Sequence, residues 1–271
     1  MGILSLLELP EDCIAKIVSM TSAADACRSC TISKGFKSVA DSDTVWENFL
    51  PSDYKEIIAS TSNATIAYNT RKELYFCLCH PLVLEEGERS FNLVKKNGKK
   101  CYMLGARNLH IFWGNDHRCW VRLVPLPNTR FGEVAELRQV CWVKIVGRLE
   151  TRLLSPATNY AAYLVFTPIR EYTSRFGSIA GKVSATIINS NLANQSGSNN
   201  ATTAFLVQNN DPQTQDGQLP REREDGWKEI KMGEFYVTAD CGGIVEMRLD
   251  EVEDPSWKTA LLVYGIEIRP I

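Results

Sequence analysis

The stretch Ile244-Val-Glu-Met-Arg-Leu-Asp-Glu251 sets Val245, Met247 and Leu249 against Glu246, Arg248 and Asp250. In an extended chain a period of two sends the apolar set to one side and the charged set to the other. The segment therefore reads as a strand with one dry and one wet face. Strand candidates recur at 109–113, 120–124, 139–150, 160–167, 182–188, 227–230, 235–237, 244–252 and 261–268, separated by Gly, Pro and Asn. Many short strands with such punctuation predict an antiparallel sandwich or barrel beginning near Cys101. The run 189–201 is almost wholly Asn, Ser, Gln, Gly and Ala, too polar to order itself, and is expected to be a loop.

Upstream the period changes. Leu9-Pro10-Glu11-Asp12 places a proline and two acids at a helix start, with Ile14, Ile17 and Val18 following at helical spacing. Ala26, Cys27, Cys30, Phe36, Val39 and Ala40 suggest more helix, and Val45, Trp46 and Phe49 a short last piece that Pro51 ends. The polar composition of 52–70 predicts a linker, with a short amphipathic piece at 74–79. The expected organisation is a helical domain over 1–50, a connecting segment over 51–98 and a β-domain over 99–271.

Composition narrows the function. In 271 residues, 30 Lys and Arg nearly cancel 32 Asp and Glu, which argues against nucleic-acid binding through bulk charge. The longest apolar runs are strand-sized, so no membrane span is expected. Nine cysteines, with Glu8 and no basic region near the start, point to a reducing compartment, cytoplasm and nucleus. Cys27-x-x-Cys30 and Cys77-x-Cys79-His80 lack zinc-finger spacing and read as small hydrophobes, so no metal is expected. The histidines, His80, His110 and His117, accompany no nucleophile motif, and no Walker or dinucleotide pattern is present. Neither catalytic residues nor a cofactor are expected. Trp113 and Trp120 flank the polar turn Gly114-Asn-Asp-His-Arg118 and could offer indole faces to a ligand, or could simply be core.

Residues 3–50, with Leu9-Pro10-Glu11, Ile14, Ile17, Ser33-Lys-Gly-Phe36 and Val45-Trp46, resemble an F-box, the helical module of ubiquitin-ligase adaptors. From about residue 100, Ile111-Phe-Trp113, Val140-Cys-Trp142, Asp225-Gly-Trp227, Val245-Glu-Met-Arg-Leu249 and Gly265-Ile-Glu-Ile-Arg-Pro270 resemble the phloem protein 2-like lectins related to Nictaba. The resemblance implies a multidomain α + β protein, an F-box followed by a jelly-roll-like β-sandwich lectin. It implies a non-catalytic adaptor whose Leu9, Pro10, Ile14, Ile17 and Val18 meet the Skp subunit of a cullin ubiquitin ligase. Its lectin domain would hold glycans or glycoproteins of the N-acetylglucosamine or N-acetyllactosamine type through Trp113, Trp120 and Glu251, and could pair into dimers. A sandwich that recognises a protein surface without sugar is the alternative, since Ile244 and Cys119 depart from the family's pattern.

Overall fold

The computed structural model describes residues 9–62, 66–127, 129–169, 179–188, 201–207, 217–240 and 242–271. The loop expected at 189–201 lies, except for Ala201, outside the described residues. Contacts divide the chain into two compact units, the residues up to Glu85 with Phe91–Lys100, and Glu86–Ser90 with Cys101–Ile271.

The first unit is built from α1 (Glu11–Ser19), α2 (Ala23–Ser29), α3 (Lys34–Ala40), α4 (Asp43–Glu47), α5 (Tyr54–Ala59) and α6 (Arg71–Leu78). Strands β1 (Leu82–Leu84) and β2 (Arg89–Leu93) follow in the chain. Helix starts sit where side chains can satisfy unpaired amides: Ser22 accepts from Asp25 N, Ser33 from Phe36 N and Thr70 from Glu73 N. The buried Trp46 indole donates to Ala40 O at 2.7 Å and packs against Phe49, Tyr75 and Phe76.

That packing corrects the expectation of a linker over 51–98. Tyr54, Ile57, Leu74, Tyr75 and Leu78 are buried, and Lys72 pairs with Asp41 at 2.6 Å while Arg71 pairs with Glu47 at 2.7 Å. Among the described residues four helices precede residue 51, and α6 completes the packing around Trp46 through Tyr75 and Phe76. The polar composition belongs only to the connection between α5 and α6. Among the described residues no helix is long and apolar enough to cross a membrane, and no group of three or more His, Cys, Asp or Glu could hold a metal ion.

The remaining strands are β3 (Lys100–Gly105), β4 (His110–Ile111), β5 (Trp120–Pro125), β6 (Glu133–Leu137), β7 (Val143–Glu150) and β8 (Thr158–Pro168). They continue as β9 (Ile179–Ile188), β10 (Thr202–Val207), β11 (Arg221–Glu222), β12 (Lys228–Val237), β13 (Ile244–Glu251) and β14 (Leu261–Pro270). In the second unit they form a mostly antiparallel sandwich. The larger sheet runs β3-β14-β8-β12-β11, with β6 also on β14 and β5 on β6; the smaller runs β10-β9-β13-β7-β4. The two expected strands 227–230 and 235–237 are one, β12, whose register shifts between Lys231 and Gly233.

β13 behaves as its pattern requires, with Val245, Met247 and Leu249 fully buried. The larger sheet has two covered faces. Its side toward the smaller sheet is packed so closely that a Cβ at Gly147 would stand 2.8 Å from Ile266. On the other side Met103, Val134, Val165, Trp227 and Tyr264 form a second cluster, with Trp227 stacked on Tyr264 at 4.7 Å. Burial on both faces explains why Tyr160-Ala-Ala-Tyr-Leu-Val-Phe166 is apolar without alternation.

At Gly265 the backbone of β14 runs against the carbonyl of Leu104, and an added Cβ would collide with that oxygen and its carbon. Backbone cannot rotate out of the way as a side chain can. Gly265→Ala is expected to cost about 1–3 kcal/mol, the usual range for overpacking, read as a lower urea midpoint with an unchanged denaturant slope. A midpoint equal to that of the wild type would show that the two strands separate freely here.

Candidate functional site

Six tryptophans divide evenly. Trp46, Trp120 and Trp227 are buried, whereas Trp113, Trp142 and Trp257 are 52%, 39% and 55% exposed. A large aromatic ring left in water needs a reason, since burying it would stabilise the fold. All three exposed indoles line one cavity of about 420 Å³, together with Asp116, Arg118 and Gln139. That is within the ordinary range of ligand sites, about 300–1,000 Å³.

Each indole reaches the cavity by a different device. Trp113 sits in the turn after β4 with φ +62°, a left-handed conformation that a bulky side chain rarely adopts. Such strain, of order 1–3 kcal/mol, persists only where surrounding structure imposes it. Here Gly114 N donates to Ile111 O at 3.0 Å and Asp116 N to Trp113 O at 2.9 Å, locking the turn. Trp142 lies just before β7, its ring edge-on to Trp113 with centroids 5.9 Å apart. Trp257 is carried by the β13–β14 connection.

That connection is held from beneath. Lys258, 1% exposed, exchanges backbone hydrogen bonds with Val140 and turns its ammonium inward. Nζ donates to Cys141 O at 2.6 Å and to Asp254 O, and stands 2.8 Å from Glu251 Oε2 as an ion pair. Glu251 Oε1 accepts from Asp254 N at 3.3 Å. One buried ammonium therefore ties the segment of Trp142 to the loop of Trp257.

On the rim, Asp116 accepts from Arg118 N, Nε and Nη2 at 3.0, 3.0 and 2.7 Å. Hydrogen bonds from the Arg118 side chain and then its amide hold the Asp116 carboxyl at about 2. The group presents a carboxylate to the cavity across the whole physiological range.

This geometry corrects part of the sequence reading. Trp113 stands at the cavity, but Trp120 opens β5 opposite Leu137 and is 2% exposed, so its faces pack in the core. Its Nε1 meets no acceptor among the described residues. Glu251 is 3% exposed and committed to Lys258, which removes it from the rim. Ile244 lies at the other end of β13, seven residues from Glu251, or roughly 23 Å at about 3.3 Å per residue. Trp142 and Trp257, and not Trp120 and Glu251, line the cavity beside Trp113. Alternation alone signalled part of this, because Glu251 falls in register with the inward Val245, Met247 and Leu249.

The helical unit shows a similar division. Ile14 and Val18 are buried within it, four residues apart on the inner face of α1. Leu9 is half-buried, and Pro10, Cys13, Ile17 and Met20 are exposed, at the i, i+3, i+7 and i+10 spacing of one helical stripe. Ile17 is 42% and Met20 76% exposed, an apolar face left uncovered among the described residues.

Family comparisons match each half of the chain. Residues 99–270 match the Phloem protein 2 family and residues 6–48 the F-box domain. The F-box protein PP2-B10 of Arabidopsis thaliana is 38% identical over 96% of this chain and 92% of its own length. The F-box protein PP2-B1 of the same plant is 35% identical over 97% and 89% respectively. Among solved structures, a family 35 carbohydrate binding module from Clostridium thermocellum overlays 62% of this chain and 96% of its own with TM-score 0.34 and 9% identity, a likeness too distant to carry an argument.

Proposed function

Since the chain belongs to the phloem protein 2 family of F-box proteins, we propose that it is the substrate-recognition subunit of a Skp-cullin-F-box ubiquitin ligase, in which the sandwich holds a glycan or glycoprotein. The observation that carries the glycan half is the convergence of three exposed indoles on one cavity. A pyranose has an apolar C–H face that an indole can cover and a rim of hydroxyls that the Asp116 carboxylate, the Gln139 amide and the Arg118 guanidinium can take. The protein supplies binding and the other subunits supply chemistry, so no group here is assigned a catalytic role.

The ligase half rests on the stripe Pro10, Cys13, Ile17 and Met20. An amphipathic helix face of this kind is desolvated by docking against a partner, here the Skp subunit. Ile14 and Val18 act only indirectly, by holding α1 in place.

The test is calorimetry of the full chain against N-acetylglucosamine oligomers and N-acetyllactosamine. Saturable binding is expected, weakened at least tenfold, about 1.4 kcal/mol, in both Trp113→Ala and Trp257→Ala. Binding that neither variant changes, or no binding by folded protein, would leave the sandwich as a reader of protein surfaces. For the other half, Ile17→Asp should abolish co-purification with the Skp subunit while the circular dichroism spectrum is unchanged; retained co-purification would refute the docking face.

A further inference from the structure

A second cavity, about 350 Å³, lies on the outward face of the smaller sheet and shares no lining residue with the tryptophan cavity. Register assembles it. His110 of β4 pairs with Val146 of β7, and Val146 with Arg248 of β13, so these three form a row across three strands. Lys144 opposite Asp250 and Arg148 opposite Glu246 flank that row.

The lining has two parts. Its floor is apolar, made by Val146 and the half-buried Phe112 ring, which His110 meets edge-on at 4.9 Å and Lys144 Nζ covers at 4.8 Å. Its wall is cationic, formed by Lys144, Arg148 and Arg248. The neighbouring acids anchor the wall without lining the cavity. Glu246, 6% exposed, accepts from Arg148 Nε at 2.7 Å and Arg248 Nη1 at 3.1 Å, and Asp250 accepts from Arg248 Nε at 3.0 Å.

Glu246 and Asp250 are shared among the three cations, Lys144 Nζ standing 3.5 Å from Asp250 Oδ1, and Glu88 accepts from the lining Asn108 Nδ2 at 3.1 Å. The guanidinium of Arg148 has five donors and its ion pair uses only the Nε and Nη2 edge, while its side chain remains 67% exposed. Held in place by Glu246, that group is ready for a carboxylate or sulfate oxygen and loses little side-chain freedom on binding one. A flat apolar floor beside a fixed cation suits a ring that carries one anionic substituent.

We propose that this face is a second binding site, for a pyranose unit bearing a carboxylate or a sulfate, with Phe112 and Val146 beneath the ring, Lys144 and Arg148 on the anion and Asn108 on a hydroxyl. It operates independently of the tryptophan cavity.

The test is calorimetry of the full chain with trigalacturonate, its neutral methyl ester and galactose 6-sulfate. Trigalacturonate should bind saturably, lose affinity with added salt, and weaken at least tenfold on esterification and in both Arg148→Gln and Lys144→Gln. Each variant removes one ion pair, Arg148 with Glu246 or Lys144 with Asp250, but both carboxylates remain paired with Arg248, so neither is left without a cation. Trp257→Ala should bind trigalacturonate as the wild type does, whichever way the neutral-glycan test falls. Binding of galactose 6-sulfate with the same dependence on Arg148 and Lys144 makes the site one for sulfate as well as carboxylate; its failure to bind restricts it to uronates. Equal affinity for the ester, unchanged binding in both variants, no binding by folded wild type, or displacement by inorganic sulfate at equal concentration would overturn the proposal.

Discussion

Lys258→Met is expected to destabilise the sandwich by about 3–5 kcal/mol, the cost of leaving one member of a buried ion pair without its partner. The Glu251 carboxylate would remain 3% exposed with no cation beside it. Two carbonyls, of Cys141 and Asp254, would lose the donor they share. The damage should reach the cavity, because this ammonium joins the segment of Trp142 to the loop of Trp257. Affinity for an N-acetylglucosamine oligomer should therefore fall in the fraction that stays folded, although Lys258 does not line the site.

The double variant Glu251→Gln, Lys258→Met separates the two roles open to Glu251. If the carboxylate serves only as the partner of Lys258, removing both charges restores much of the lost stability. If it binds sugar hydroxyls, Glu251→Gln alone should abolish binding with stability unchanged. The burial of the pair requires the first outcome, read from urea melts of the four proteins of the cycle.

Trp46→Ala should remove about 3–5 kcal/mol from the helical unit, as deletion of a fully buried indole does elsewhere. That is a large part of the roughly 5–15 kcal/mol by which an ordinary domain is stable. The ring is 0% exposed and touches α6 through Tyr75 and Phe76, so its loss opens the seam between α4 and α6. It also leaves the Ala40 carbonyl without the indole donor. Hydrogen exchange should show loss of protection at the Leu74 and Cys79 amides, which donate to Thr70 O and Tyr75 O in the wild type. Trp46→Phe keeps most of the ring contact and should fall between the two. Full protection in Trp46→Ala would mean that α6 packs without it, and that 51–98 is closer to the linker its composition suggests.

Much of the architecture was written locally. β13 could be read from its own residues because one face meets the core and the other meets solvent, and a period of two records that difference. The helix that begins at Leu9-Pro10-Glu11-Asp12 could likewise be read from its own spacing, but not which of Ile14, Ile17 and Val18 turn inward. The helical half, the β half and their order follow from such patterns, and the F-box and lectin resemblances follow from motifs that lie within single segments.

The site was legible only in part, for a physical reason. Trp113 announces itself by its polar turn, but nothing near Trp142 or Trp257 shows that their rings share a cavity with it. Trp120 has the same polar turn beside it, and only the pairing of β5 with β6 shows that it is covered. The same holds for the cation wall, where Lys144 and Arg148 come from β7 and Arg248 from β13. Periodicity tells a residue which face of its own strand it occupies, whereas a binding site is made by strands meeting across the sheet. The kinds of elements in this protein were therefore settled by local pattern, and the membership of its cavities was settled by long-range pairing.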